Sequence, residues 1–284
     1  FMRKNIAKVL TGQRRVGKSF LLYQLMDQLL VEEPDANIIY INFEDFAFSH
    51  IQTAEDMHAY IMSKFRKEKY NYIFVDEIQE IVNFERVIRS LLLNENNDIY
   101  ITGSNAKMLS GELATYLSGR YIEFSVYSLS YLEFLAFHKL ENNNESLYLY
   151  SRYGGLPYLI NLPLKDETVN EYLKSVYSTI VFRDVVSRYN LRNSSFLEKL
   201  VQFLSENIGN LFSAKNISDY LKSQHSTISV NQIQNYTEYL NNAFLIHRVG
   251  RYDLIGKRLF EIGEKYYLEN MGLRNIVIGY RITD

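Results

Sequence analysis

Eight consecutive residues near the start of the chain have the types and spacing that bind phosphate groups. Residues 12–19 read Gly-Gln-Arg-Arg-Val-Gly-Lys-Ser, a complete G-x-x-x-x-G-K-[ST] pattern. Backbone N–H groups of such a loop surround the phosphates, and its lysine and serine reach the β/γ-phosphates and Mg²⁺. The pattern therefore predicts a nucleoside triphosphate site, whose alternative is an ordinary glycine turn with a solvent-facing lysine. The predicted ligand contacts are Gly12, Gln13, Arg14, Arg15, Val16, Gly17, Lys18, Ser19 and Phe20.

The segments on either side of this loop read as a strand before it and a helix after it, which is the context that such a loop requires. Ala7–Thr11 reads as a short buried strand, and residues 20–30 place apolar side chains on one face of a helix. Gly12 and Gly17 permit backbone angles and a close approach that a Cβ atom would block. Lys18 is accordingly a predicted catalytic residue as well as a ligand contact.

A second group of polar residues follows a later apolar strand. Residues 72–77 read Tyr-Ile-Phe-Val-Asp-Glu, so Asp76 and Glu77 stand at the carboxyl end of that strand, where open α/β sheets bind ligands. We expect Asp76 to bind Mg²⁺ together with Ser19. We expect Glu77 to orient and deprotonate the attacking water. The alternative is an Asp-Glu pair that only begins a turn.

Two further positions are predicted to act on the γ-phosphate or the attacking water. Thr102, Ser104 and Asn105 follow the strand at 99–102, and Asn105 is the predicted catalytic residue among them. The alternative is a helix N-cap, a position that Ser and Asn favour.

Arg120 leads into the fifth strand and is predicted to face a γ-phosphate in the same or a neighbouring subunit. A surface arginine at the edge of the sheet is the alternative.

Alternating helix and strand patterns in the first part of the chain predict βαβ units and a parallel sheet. The predicted strands are Ala7–Thr11, Asn37–Asn42, 72–75, 99–102 and 121–126, and the predicted helices are 20–30, 53–67 and 84–93. Beyond residue 127 the chain reads mostly helical, over 130–139, 146–153, 167–186 and 196–206. The predicted fold is α/β, a P-loop NTPase with a five-stranded parallel sheet followed by a helical region.

The last third of the chain predicts a winged helix-turn-helix. Helices are expected at 213–224 and 229–242, the second with Ser229 and Gln232 as a capping box, and strands at 244–248 and 265–268 would form a wing. The predicted domains are residues 1–128 for the P-loop ATPase core, 129–190 for a helical lid or linker, and 191–284 for the winged-helix-like part.

The charges of this last part leave its partner open. Residues 226–246 contain no Arg or Lys, although recognition helices usually use them on DNA. The predicted wing is basic, and its cations are Arg248, Arg251, Lys257 and Arg258. Binding of DNA through the wing and a protein-facing or intramolecular regulatory role are both compatible with this pattern.

Composition excludes several classes of protein. The 284 residues carry a formal net charge of −2, so contact with nucleic acid needs a local basic patch. The absence of cysteine excludes disulfides and thiolate metal sites and fits a reducing cytoplasm. No apolar run approaches the length of about 20 residues that crosses a bilayer. The five histidines are scattered and give no metal pattern.

Several stretches together resemble bacterial and archaeal AAA+-superfamily ATPases whose core is followed by a DUF4143 domain. These stretches are residues 12–19, 74–79, 101–105, 117–120, 129–134, 153–157 and 266–275. The resemblance implies an AAA+/ASCE-like fold, with ATP and Mg²⁺ as ligands. It also implies that the Gly-Gly-Leu-Pro motif at 154–157 packs beside the adenine through Pro157, whereas a plain turn between helices is the alternative.

Such proteins usually start with a helix before the first strand and continue into a nuclease-like domain. We expect both parts to be shortened here, and no Asp…Glu-x-Lys nuclease pattern follows residue 275.

These features predict an Mg²⁺-dependent ATPase that acts as a nucleotide-driven switch for a C-terminal winged helix. One alternative is a regulatory module that holds ATP or ADP with little turnover and binds DNA or a protein client. Another is a NACHT-like scaffold that forms a homo-oligomer on nucleotide exchange.

Overall fold

The computed structural model describes residues 2–106, 116–117, 119–223, 228–250 and 263–279. The chain divides into two units, Phe1–Tyr127 and Ser128–Asp284. The further predicted division of the second unit near residue 190 stays a prediction.

A five-stranded sheet forms the centre of the first unit. Its strands are β1 (Ala7–Thr11), β2 (Asn37–Asn42), β3 (Asn71–Asp76), β4 (Asn97–Gly103) and β5 (Tyr121–Ser125). Their order is β2-β3-β4-β1-β5, and every neighbouring pair is parallel. The predicted α/β fold with a five-stranded parallel sheet is therefore confirmed. Because β4 lies between β1 and β3, the ends of all three strands meet at one edge.

Helices cover both faces of this sheet, which explains why β1, β3 and β4 are buried along their whole length. The helices are α1 (Lys18–Glu32), α2 (Ala54–Ser63) and α3 (Phe84–Leu91). Leu22 and Leu29 of α1 pack with the aromatic side chains of one face, where the rings of Phe74 and Tyr100 stack 4.7 Å apart. Aliphatic side chains of α2 and α3 pack on the other face.

Helix α2 is shorter than the predicted helix 53–67. It begins after Thr53, whose hydroxyl and Asp56 form a reciprocal capping box, and it ends at Ser63. The Asn71 side chain then bonds the chain that follows, accepting from the Arg66 N–H over 2.9 Å and donating to the Lys69 carbonyl over 3.2 Å. A backbone engaged by a side chain in this way cannot continue the helix.

The second unit is mostly helical, as the sequence predicts. Its helices are α4 (Tyr131–His138), α5 (Asn144–Tyr153), α6 (Asp166–Ser178), α7 (Ser194–Glu206), α8 (Ala214–Ser223), α9 (Val230–Asn242) and α10 (Met271–Ile278). The predicted single helix 167–186 is wrong in one respect, because its second half, Thr179–Ser187, has the wider hydrogen-bond spacing of a π-helix.

A small antiparallel sheet accompanies the last helices. Its strands are β6 (Leu211–Phe212), β7 (Ile246–Val249) and β8 (Glu264–Leu268), in the order β6-β8-β7. Before α9, the Ser229 hydroxyl accepts from the Gln232 N–H over 3.2 Å, which is the serine half of the predicted capping box.

Candidate functional site

The phosphate-binding loop joins β1 to α1 through three residues with left-handed backbone angles. The φ angles are +151° at Gly12, +70° at Arg15 and +100° at Gly17, which immediately precedes the first turn of α1. An ideal Cβ atom on Gly12 would lie 2.1 Å from the carbonyl oxygen of Val126, so the loop has no room for a side chain there. The strand, loop and helix predicted from the sequence are thus present in the order that a phosphate loop requires.

Lys18 is held by the loop itself. Its Nζ donates to the carbonyl oxygens of Gly12 and Gln13, each over 3.0 Å, and its side chain is buried. These bonds direct a cation onto the concave side of the loop. Phosphate oxygens are stronger acceptors for an ammonium group than neutral carbonyls, because they are charged.

The other predicted loop contacts differ in exposure. Gln13, Arg14 and Val16 are buried, Ser19 is half-buried, and Arg15 and Phe20 are exposed. Arg14 Nη1 forms an ion pair with Glu44 Oε1 over 2.7 Å, and sequence reasoning gave no sign of this partner.

Asp76 lies at the same edge of the sheet, at the end of β3. It is 1% exposed, and Thr102 donates its hydroxyl hydrogen to Asp76 Oδ1. The same hydroxyl accepts from the Glu77 N–H over 3.0 Å, so Thr102 connects the two acidic residues. Burial raises the pKa of Tyr40 in β2, with a further increase from the hydrogen bond with Tyr23 and from the negative charge of Asp76.

Glu77 has a strained backbone, and one oxygen of its carboxylate accepts hydrogen bonds from neighbouring side chains. Its φ is +55°, which is uncommon for a residue other than glycine and is often found at functional sites. Glu77 Oε2 accepts a hydrogen bond from Gln79 Nε2 and another, over 3.3 Å, from the hydroxyl of Ser104. All three residues are buried. The predicted base thus contacts two of the three predicted polar residues at the end of β4, Ser104 through its carboxylate and Thr102 through its N–H.

Asn105 is buried one residue beyond Ser104, at the carboxyl end of β4. Its predicted contact with water or γ-phosphate stays a prediction. Its alternative role as a helix N-cap depends on residues outside the described part of the chain.

Arg120 lies at the opposite edge of the sheet. Its carbonyl oxygen accepts from the N–H of Ala7, the first residue of β1, over 2.9 Å. The phosphate loop follows Thr11 at the other end of that strand, about 16 Å away at a rise of roughly 3.3 Å per residue. The predicted contact of Arg120 with a γ-phosphate of its own subunit stays a prediction. Its side chain is exposed, and action on a neighbouring subunit stays a prediction.

The Gly-Gly-Leu-Pro motif has a packing role within the second unit. A Cβ atom on Gly154 would lie 2.3 Å from Asn270 Oδ1, and one on Gly155 would lie 2.1 Å from the Leu129 carbonyl oxygen. Pro157 begins a short 3₁₀ turn, Pro157–Asn161. These contacts explain both glycines without a ligand, and the predicted contact of Pro157 with nucleotide stays a prediction.

The Gly-Leu-Arg-Asn motif at 272–275 connects the ends of helices in the same unit. Asn275 Nδ2 donates to the carbonyl oxygens of Ser151 and Arg152 near the end of α5, over 2.9 and 2.8 Å. Arg274 Nε donates to the Ser205 carbonyl near the end of α7 over 3.0 Å. The motif therefore satisfies carbonyl groups that helix ends leave without partners.

The residues present fit Mg²⁺ bound together with a nucleotide. Among the described residues no group of three or more His, Asp or Glu side chains forms a metal site. Mg²⁺ at nucleotide sites needs only one or two carboxylates, because substrate phosphates and water complete its shell. Asp76 and the half-buried hydroxyl of Ser19 supply such a set.

Gln79 is the residue of this site that sequence reasoning missed. The sequence shows it two positions after Glu77, in Asp-Glu-Ile-Gln, but this spacing alone predicts no contact. The 3₁₀ turn Ile78–Glu80 brings its amide to the carboxylate.

Comparison with known proteins identifies the family of the first unit. A family model described as an AAA domain matches residues 4–135. The fold is similar to that of the Walker-type ATPase PABY2304 of Pyrococcus abyssi, with a TM-score of 0.63 and 17% sequence identity, over 95% of this chain and 90% of that one. The first unit therefore matches the AAA domain family, as the resemblance predicted.

Two further relatives match most of this chain, and a second family model matches its later part. The chain is 36% identical to an uncharacterized protein of Haemophilus influenzae, over 98% of this chain and 71% of that protein, so the two belong to one family. It is 30% identical to the uncharacterized protein MJ1544 of Methanocaldococcus jannaschii, of which it spans 61%. Residues 144–283 match a domain of unknown function, DUF8612, which is a different domain from the DUF4143 type that the resemblance implied. No helix among the described residues is long and apolar enough to span a membrane.

Proposed function

We propose that this AAA+ protein hydrolyses ATP with Mg²⁺ and uses the reaction to switch the state of its second unit. The observation that supports this most is the convergence of the phosphate loop, Asp76 and Glu77 at one edge of the sheet, with Glu77 held by neighbouring donors. A module that only holds nucleotide needs the loop and the metal ligand. The second carboxylate, that of Glu77, is needed only if a proton is removed from water.

Each residue has a distinct task in the proposed reaction. The loop and Lys18 bind the phosphates. Asp76 and Ser19 would hold Mg²⁺, which would neutralise charge on the phosphate oxygens. Glu77 orients the attacking water and accepts its proton. Adenine rather than guanine is inferred from the superfamily, since the chain has no Asn-Lys-x-Asp pattern that reads guanine.

Phosphate release under steady-state conditions tests this proposal. Glu77→Gln should lower kcat about a hundredfold or more while ATP still binds, because the amide cannot accept the proton. Lys18→Ala should abolish binding. Glu68→Gln and Lys67→Ala change exposed side chains of the same unit and serve as matched controls. If the wild-type chain releases no more phosphate than Lys18→Ala, the hydrolase proposal fails and the nucleotide-holding module is favoured.

The second part of the proposal concerns a winged-helix module at the end of the chain. The order α7-β6-α8-α9-β7-β8 and the antiparallel three-stranded sheet support it. The exposed face of α9 carries amides and one acid, which are Asn231, Gln234, Asn235 and Glu238. In the proposed wing, Arg248 pairs with Glu264 over 3.6 Å, and Arg251, Lys257 and Arg258 lie outside the described residues.

This charge distribution favours a protein partner over DNA, because a helix face without cations does not neutralise phosphates. Fluorescence anisotropy with duplex DNA at 50 and 200 mM salt provides the test. We expect no binding tighter than the micromolar range of non-specific complexes. Tighter binding that weakens steeply with salt, and that is lost in a variant with all four wing cations changed to Ala, would support DNA as the partner.

A nucleotide-dependent scaffold makes a different prediction. Light scattering should then report a larger mass with ATP than with ADP. A single mass in both nucleotides favours the switch within one molecule.

A further inference from the structure

The amide of Gln79 is bonded at one end only. Its Nε2 donates to Glu77 Oε2 and, over 3.3 Å, to the hydroxyl of Ser104. Its Oε1 is buried and has no hydrogen-bond partner among the described residues. The side chain is 7% exposed, so this arrangement lies inside the fold.

The orientation of the amide follows from charge. A carboxylate accepts hydrogen bonds and donates none, so the NH₂ end of Gln79 must face Glu77. The oxygen end is then turned away from Glu77, and no donor among the described residues bonds it. An acceptor buried without a partner destabilises the folded state.

Packing alone does not account for an amide at this position. An unbranched apolar side chain of similar length would fill the same space and leave no unpaired oxygen. What the amide adds is the charge-assisted hydrogen bond to Glu77, which is stronger than one between neutral groups.

We propose that Gln79 is a positioning residue that orients the carboxylate of Glu77 for proton removal from the attacking water. Gln79 and Ser104 both donate to Oε2, so Oε2 is occupied and Oε1 of Glu77 is the oxygen that receives the proton. The left-handed backbone of Glu77 and these two donors together set the direction of the carboxylate. This inference rests on the proposed ATP hydrolysis.

The reaction that Gln79 supports is the transfer of the γ-phosphoryl group of ATP to water. The water oxygen forms a bond to the γ-phosphorus while the bond from this phosphorus to the β–γ bridging oxygen breaks, and ADP leaves with the electron pair. One proton moves from the water to Glu77 Oε1 and passes from there to the released phosphate or to solvent. Gln79 keeps its own protons and touches neither ATP nor the water, so its effect passes entirely through Glu77.

The variant Gln79→Met removes the amide and keeps a similar length, and Gln79→Glu places a second carboxylate beside the first. We expect kcat to fall tenfold or more in Gln79→Met and further in Gln79→Glu, because like charges repel. The KM for ATP and the Kd of a fluorescent ATP analogue should stay within threefold of wild type. The matched control is Gln28→Met, which removes an exposed glutamine that bonds Glu32 over 2.8 Å.

A double-mutant cycle decides whether Gln79 acts through Glu77. In the Glu77→Gln background, Gln79→Met should not lower the residual turnover further, since the base that it positions is already gone. Thermal unfolding of each variant shows whether it is folded, and the Ser104→Ala variant should lower kcat less than Gln79→Met.

The outcomes separate this inference from the hydrolase proposal. If wild type hydrolyses ATP and Gln79→Met keeps its full kcat, the inference is overturned and the hydrolase proposal stands. Additive losses in the double variant, or a large rise in Kd in Gln79→Met, also overturn it. Absence of wild-type turnover overturns both.

Discussion

Gly12 and Val126 meet so closely that an ideal Cβ atom on Gly12 would lie 2.1 Å from the carbonyl oxygen of Val126. The phosphate loop therefore begins against the segment that follows β5. Two residues later, the N–H of Ser128 donates to Glu269 Oε1 over 2.7 Å within the second unit. Ser128, the first residue of the second unit, is thus bonded by a carboxylate of its own unit.

Gly12→Ala should disrupt the loop. The added carbon would collide with the backbone of Val126, and alanine disfavours a φ of +151°. We expect a loss of about 1–3 kcal/mol in the free energy of unfolding and at least a tenfold rise in the Kd for ATP. Gly250→Ala is the control, because no atom of the described residues lies within 4 Å of its added carbon. Unchanged ATP affinity in Gly12→Ala would show that the loop can move away from Val126 without harm.

Gly155→Ala should destabilise the second unit without a direct effect on phosphate binding. Its Cβ atom would lie 2.1 Å from the carbonyl oxygen of Leu129, so backbone must shift. The expected loss is about 1–3 kcal/mol, measured by urea unfolding followed by circular dichroism. At Gly263, in contrast, the nearest atom of the described residues to an added carbon is a Leu211 methyl 3.4 Å away. Gly263→Ala should therefore change stability by less than about 0.5 kcal/mol. Equal stability of both variants would contradict the packing role of the motif.

Asn275→Ala should weaken the attachment of α10 to α5. The substitution removes two hydrogen bonds to the carbonyl oxygens of Ser151 and Arg152, at a cost of about 1–2 kcal/mol. The control is Asn161→Ala, which removes one exposed bond of 3.4 Å to the Tyr158 carbonyl. A loss no greater than in this control would show that water replaces the amide of Asn275.

His138 should make stability depend on pH. Burial lowers the pKa of its imidazole from the ordinary value of 6.5, and its ring lies 4.3 Å from that of Phe134. The unfolded chain then binds the proton more readily, so the contribution of His138 is present above pH 6.5 and is lost as the pH falls through the lowered pKa. The melting temperature should drop less between pH 7.5 and 5.5 in His138→Gln and His138→Leu than in wild type. An equal drop in all three proteins would assign the pH dependence to other groups.

Much of the first unit follows from local pattern. The glycine and lysine spacing at 12–19, the buried runs of β1 and β3, and the acids after β3 are each readable within a few residues. A parallel sheet then brings these strand ends to one edge, so the candidate site was predictable as a set.

The position of Arg120 could not be read in the same way. Its place before β5 is clear from the sequence, but the edge to which it belongs depends on the pairing of β5 with β1. That register puts Arg120 beside Ala7 and away from the loop.

The phosphate loop, the acidic strand end and the alternation of strands and helices can be read from the amino-acid order, because each depends on neighbouring residues and a fixed period. The folded chain adds three contacts that this order does not reveal: Gln79 and Ser104 share one oxygen of Glu77, Thr102 joins Asp76 to Glu77, and Gly155 is packed against Leu129. Most of these contacts join residues that are distant in the chain. Their geometry is set by strand register and turn conformation, which no local pattern encodes.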